Sequence, residues 1–203
     1  MAFHFPAVIQ ASRVTFPKAE LWVPVVSGLY NQAAQNEINK LLRIAASLLV
    51  GDHGSLDDPR AEMKGWFELK TNEKAVLSLS LFNYAYTGGA HGITLQHSYT
   101  LDITSGKSYS LADLFEPGSA YVKRLSDLIR AQIESRQIAT LEPFRTILPN
   151  QPFYIADRAL VIYFPLFELT PYAFGFPYFP IPVYDIADII NPTGPLAVMA
   201  VND

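Results

Sequence analysis

Two stretches of alternating polarity flank a run rich in glycine. Leu77, Leu79 and Leu81 alternate with Ser78, Ser80 and Phe82. Beyond the run, Ile93, Leu95, His97, Tyr99, Leu101 and Ile103 alternate with Thr94, Gln96, Ser98, Thr100 and Asp102. A period of two marks strands with one buried face, so these segments predict a half-buried antiparallel pair. The joint between them reads Tyr84-Ala85-Tyr86-Thr87-Gly88-Gly89-Ala90-His91-Gly92. Three glycines in five positions predict positive φ or a close approach of other atoms to the backbone. A histidine and two tyrosines sit on that bend, and turns between strands are where functional groups tend to be displayed.

The rest of the chain arranges itself around this hairpin. Residues 7–26 read as strands interrupted by proline. Residues 29–50 read as the strongest helix, with Ala34, Ile38, Leu41, Leu42, Ala45, Leu48 and Leu49 at spacings of three and four, and Gly51 closing it. Gly51 to Pro59 is a polar loop. Trp66–Lys70 and Lys74–Tyr86 read as strands, and Ser105-Gly106 as a turn. Ser110-Leu111-Ala112-Asp113 carries the capping-box spacing and should open a helical turn. Tyr121, Val122, Leu125, Leu128, Ile129 and Ile133 trace a second amphipathic helix. Phe153–Ile155 and Ala159–Phe164 form a strand pair around Ala156-Asp157. A short helix over Ile186–Ile190 and an apolar stretch over Leu196–Val201 complete the tail. Strands grouped apart from two long helices predict an α+β fold, with antiparallel sheets carrying two main amphipathic helices. A soft boundary falls in the loop near residues 51–62, and we expect two closely packed subdomains, residues 1–70 and 71–203.

Composition excludes several classes of function. The chain has no cysteine, so disulfides, thiolate metal sites and cysteine nucleophiles are ruled out. A net charge of −4 with 17% charged residues disfavours nucleic acid and suits a cationic or neutral partner. No apolar run is long enough to span a membrane. Met1 to Pro6 lacks the basic and apolar regions of a signal peptide, so the expectation is a cytoplasmic protein or one from which an export signal or anchor has been removed.

The familiar catalytic signatures are missing: there is no nucleophile elbow, Ser-x-x-Lys, phosphate-binding loop or His-Glu-x-x-His. Four histidines are present, His4, His53, His91 and His97. His91 is the candidate for chemistry, as a base or a ligand, against the alternative that it bonds neighbouring backbone in the bend. No carboxylate within the motif orients it, as bases and ligands require. Asp52, His53, Asp57 and Asp58 offer hard oxygen ligands but match no calcium loop, and read as a solvated loop. Between Tyr163 and Tyr184 lie nine aromatic residues and five prolines, with Glu168 as the only charge. Stiff aromatic segments suit binding surfaces, although the same rings could roof a core. Glu168 must be either paired or exposed, since an unpaired buried carboxylate is too costly.

A family resemblance rests on specific runs. These are Tyr86-Thr87-Gly88-Gly89-Ala90-His91-Gly92, Leu101-Asp102 with Ser105-Gly106-Lys107, and Leu111-Ala112-Asp113-Leu114-Phe115. They continue with Phe153-Tyr154, Leu160-Val161-Ile162-Tyr163-Phe164, Glu168-Leu169-Thr170-Pro171-Tyr172-Ala173-Phe174-Gly175 and Phe179-Pro180-Ile181-Pro182. In this order they resemble a bacterial domain of unknown function found in the ectodomains of RsiV-type anti-sigma factors and the N-terminal regions of PdaC-type peptidoglycan deacetylases. The first 70 residues resemble the companion domain that precedes it. The resemblance implies an extracytoplasmic, non-catalytic binding or sensor module of the cell envelope, without cofactor or metal. It implies a lysozyme-like protein or peptidoglycan as partner. The expected ligand-binding residues are Tyr86, Gly88, Gly89, His91, Glu168, Tyr172 and Phe174. The competing expectations are an accessory domain of a cell-wall hydrolase or deacetylase, and a hydrolase using His91 and Glu168.

Overall fold

The computed structural model describes residues 6–54 and 56–201. His4 and Ser55 lie outside the described residues. The chain divides into two compact units between Ser108 and Tyr109. The boundary expected between residues 70 and 71 falls inside a strand that pairs on both sides, so the chain does not part there.

The first unit is a five-stranded sheet with one long helix. Its strands are β1 (Val8–Phe16), β2 (Ala19–Ser27), β3 (Glu62–Glu73), β4 (Val76–Tyr86) and β5 (Ile93–Asp102), ordered β1-β2-β3-β4-β5. All neighbours are antiparallel except β2 and β3, which run parallel for three residue pairs, Ala19–Met63 to Leu21–Gly65. The helix α1 (Gln32–Gly51) provides that crossover and lays Ile38, Leu42, Ala45 and Leu49 on the sheet face made by Leu21, Val23, Leu77, Leu79 and Leu81. Asn31 caps it, its side chain accepting from the N–H groups of Ala33 and Ala34. Gly51 is the last helical residue and Asp52 the C-cap, so Gly51 sits two positions before the C′ place expected of it.

Two local readings differ from the sequence. Strand β4 is buried on both faces, because its serines pair across the ladder instead of meeting water: Ser78 Oγ lies 2.9 Å from Thr100 Oγ1, and Ser80 Oγ 2.8 Å from Ser98 Oγ. Lys74 and Ala75, expected inside a strand, form the two-residue turn between β3 and β4, both with positive φ. That is the geometry a tight hairpin needs, reached here without glycine or asparagine.

The second unit holds α2 (Tyr121–Ser135), a three-stranded antiparallel sheet and a short helix α3 (Pro195–Ala200). The strands β6 (Phe153–Ala156), β7 (Ala159–Tyr163) and β8 (Tyr178–Pro182) lie in chain order. Prolines 180 and 182 have no N–H to give, which confines β8 to the edge. Its carbonyls are satisfied by α2: Gln132 Nε2 donates to Pro180 O (2.8 Å) and Arg136 Nη1 to Tyr178 O (2.8 Å). The capping box forms, with Ser110 N and Oγ both donating to Asp113 Oδ2 ahead of a 3-10 turn over Ala112–Leu114. The helix expected over Ile186–Ile190 does not form: a 3-10 turn over Val183–Ile186 ends there and 187–189 make a turn. The α+β class expected from the sequence is therefore what the chain adopts.

Candidate functional site

The glycine bend is built from both sides. Gly88 has φ +101°, and a Cβ on it would overlap the Asp58 carboxylate. A Cβ on Gly92 would overlap the Tyr84 ring, which packs directly against that backbone. Tyr86 Oη donates to Gly89 O at 2.9 Å, so the second tyrosine closes the bend across its base. Both tyrosines and two of the three glycines thus answer to one local geometry.

The polar loop before β3 acts as a strap on the bend, a role its composition did not reveal. Arg60 binds Asp58 through Nε and Nη2 (3.1 and 3.0 Å), and Nη2 also donates to Gly88 O at 3.0 Å. Its guanidinium lies 5.9 Å from the Tyr86 ring centroid. Lys18, at a positive φ in the β1–β2 turn, donates through Nζ to Leu56 O and Asp58 O (2.7 and 2.8 Å). The Arg60 side chain, then its backbone N–H, bring the Asp58 carboxyl down to a pKa of about 2. Thr87, Gly89, Ala90 and His91 are left facing outward. His91 Nδ1 lies 3.2 Å from the Gly92 carbonyl, which can only accept, so Nδ1 carries the hydrogen in this arrangement.

The other described histidines belong to the frame. His53 Nε2 lies 2.8 Å from Asn83 O. His97 lies 3.8 Å from Asp52 on β5, where burial lowers its pKa against the opposing pull of that carboxylate. Burial, and secondarily Asp52, raises the Tyr99 hydroxyl pKa. Among the described residues no three His, Cys, Asp or Glu side chains gather to hold a metal ion.

In the second unit the aromatic stretch splits between core and surface. Tyr163, Phe164 and Phe179 are buried, whereas Phe167 and Phe174 are 51% and 44% exposed. Phe167 has φ +66°, a conformation bulky residues avoid, and its ring stacks on Tyr172 with centroids 5.4 Å apart. Glu168 is exposed and accepts one bond from Gln151 Nε2 at 3.3 Å. Gln151 is buried and also donates to Tyr163 O, so it ties this carboxylate to the sheet. Tyr172–Phe174 is a 3-10 turn ended by Gly175 at φ +77°. Of the expected residues, Tyr86, Gly88, Gly89 and His91 lie on one bend in the first unit, whereas Glu168, Tyr172 and Phe174 lie in the second, the last two on one 3-10 turn. Arg60, Lys18 and Phe167 were missed, and Asp58 was read only as part of a solvated loop; no motif marks their roles, since each acts through a fold-dependent contact or a backbone angle.

The comparisons agree with the resemblance read from the motifs. Residues 16–94 match the family described as deacetylase PdaC, and residues 112–184 match a protein family of unknown function, DUF3298. The bend lies in the first of these. The chain is 28% identical over 183 residues to the anti-sigma-V factor RsiV of Bacillus subtilis strain 168, covering 82% of this chain and 63% of that protein. It therefore spans somewhat under two thirds of that relative's length. A crystal structure of a DUF3298 family member from Bacteroides fragilis superposes with a TM-score of 0.72 at 14% identity, covering 98% of each chain. One from Pseudomonas aeruginosa gives 0.67 at 18% identity, covering 92% of this chain and 94% of that one. These likenesses show the fold. Among the described residues no helix is long and apolar enough to cross a membrane.

Proposed function

We propose, from the similarity of this chain to RsiV and to the PdaC and DUF3298 families, that it is an extracytoplasmic binding domain of the bacterial cell envelope. It recognises a basic protein of the lysozyme type and carries out no reaction itself. One observation carries the reading: the bend from Tyr86 to Gly92 is held rigid by Asp58, Arg60 and Tyr84 while its outer residues, Thr87, Ala90 and His91, face solvent. A preorganised, displayed turn loses little entropy on binding. In the second unit the strained Phe167 and the turn residue Phe174 expose their rings, and Glu168 next to Phe167 in sequence adds an exposed acceptor. The acidic balance of the chain favours a cationic partner.

Calorimetry with a c-type lysozyme tests the reading. Saturable binding is expected that weakens at higher salt and falls about tenfold with His91→Ala or Phe174→Ala, the loss of one good interface contact. No heat and no co-elution at either low or moderate salt contradicts it. The competing reading is a hydrolase using His91 and Glu168. It requires turnover of cell-wall fragments that disappears with His91→Ala.

A further inference from the structure

The second unit carries a groove of about 520 Å³ between the start of α2 and the loop through Arg145 and Thr146. That volume lies in the range of small-molecule sites and exceeds the space of a single ion. Ser126, 3% exposed, holds the two walls together. Its Oγ donates to Val122 O at 2.6 Å, accepts from Ile147 N at 3.0 Å and lies 3.1 Å from Thr146 Oγ1. Arg130 adds a second tie, donating through Nη2 to Arg145 O at 2.8 Å. The walls are therefore set by contacts that form with the fold.

The charge of the groove is opposite to that of the chain. Lys123, Arg130 and Arg145 line it with Asp127 as the one carboxylate, which leaves it positive in a molecule of net charge −4. Asp127 lies about one helical turn from each of the two cations of α2 and binds both, Lys123 Nζ at 2.6 Å and Arg130 Nη1 at 2.8 Å, which orders them along one side of the groove. Each keeps donors to spare. Arg145 is exposed, and its guanidinium has no partner among the described residues. The groove ends at the start of α2. Ala120, at the N-cap, has no side-chain oxygen, so no side chain caps the first-turn N–H groups. Ser119 beside it lines the groove, and its Oγ is buried without a hydrogen-bond partner. An open helix start, an unused hydroxyl and an unpaired guanidinium all lack an acceptor, and one anionic group can supply it.

We propose that this groove binds a small organic phosphate monoester. A phosphoryl group carries up to two negative charges, matching the excess of cations, and brings three acceptor oxygens to the donors of Arg145, Lys123 and the first turn of α2. Arg145 meets it as a planar fork, the geometry suited to two parallel bonds. The Ser119 hydroxyl, turning about its single side-chain bond, adds one more donor. The remaining volume takes the organic part of the ester, which a bare ion leaves empty. A cationic protein is repelled here, so the groove is separate from the displayed bend, and this proposal does not rest on the reading above.

An amide NMR titration of the full chain with glycerol 3-phosphate tests it, with inorganic phosphate and succinate as comparisons, at about pH 7.5 where the monoester is fully charged. Saturable shifts are expected at residues 119–123 and 145–147, with tighter binding of the ester than of either comparison. Arg145→Ala should weaken binding about tenfold or more, with circular dichroism showing the fold unchanged. Ala120→Asp should cap α2 and set a carboxylate where the anion sits, so the melting temperature rises while binding is lost. No shifts in these segments at tens of millimolar ester overturn the proposal. So do equal affinities for the three anions, or shifts that Arg145→Ala leaves unchanged, either of which marks general attraction of anions only. Association with vesicles of phosphatidic acid while the soluble ester is silent overturns it in favour of a lipid surface. Ester binding without lysozyme binding ends the lysozyme reading and supports this one; the reverse ends only this one.

Discussion

At the bend, three neighbouring glycines have different reasons to be there. Gly88 combines positive φ with the Asp58 carboxylate at its α-carbon, and Gly92 supports the Tyr84 ring, whereas Gly89 meets nothing nearer than the His91 carbonyl at 3.8 Å. Gly88→Ala and Gly92→Ala should each lower stability by about 1–3 kcal/mol, through backbone strain and overpacking respectively. Gly89→Ala should stay within about 0.5 kcal/mol of the parent. Urea midpoints of the three variants check the contrast. Two ionisable groups set the pH response. Asp58 titrates at about 2 in the folded chain against an ordinary 3.8, so its contribution is complete above the ordinary value and is lost as pH falls toward 2. His97 is shifted in the same direction by a different cause: burial disfavours its charged form, so the unfolded chain binds the proton more readily. Stability is therefore full above pH 6.5, the ordinary value, and declines as pH falls below it. Thermal melts across this range should show both slopes, with His97→Gln flattening the one below 6.5 and Arg60→Ala the acidic one.

Among the elements, those with strong local patterning were legible and those set by pairing were not. The apolar stripe of α1, the alternation of β4 and β5 and the Ser110–Asp113 box each declare themselves within a few residues. The Lys74-Ala75 turn carries no glycine, proline or asparagine, so nothing local separates β3 from β4. The second buried face of β4 depends on hydroxyl partners about twenty residues away in β5. Two substitutions test the elements. Ala75→Gly relieves a left-handed alanine and should raise stability by about 0.5 kcal/mol. Asn31→Ala removes the α1 cap, together with the bond from its Nδ2 to Thr104 O, and should cost about 1 kcal/mol. Chemical denaturation measures both.

At the scale of the molecule, each unit displays a surface of its own on its own sheet and helix. The bend of the first unit was legible as a displayed turn, because glycine and histidine at that spacing are unusual between strands. The aromatic stretch of the second was legible as a choice between core and surface, and the structure divides it residue by residue. The strap of Asp58, Arg60 and Lys18 was not, since Lys18 and the Gly88 carbonyl reach the Asp58-Arg60 loop from separate turns and meet it only in the fold. Amide hydrogen exchange with and without a c-type lysozyme tests the central claim, that the displayed turns bind a protein partner. The account predicts slowed exchange confined to residues 86–92 and 165–176, with the rest of both units unchanged. Unaltered exchange in both segments at saturating lysozyme, alongside turnover of wall fragments by the same preparation, would contradict it.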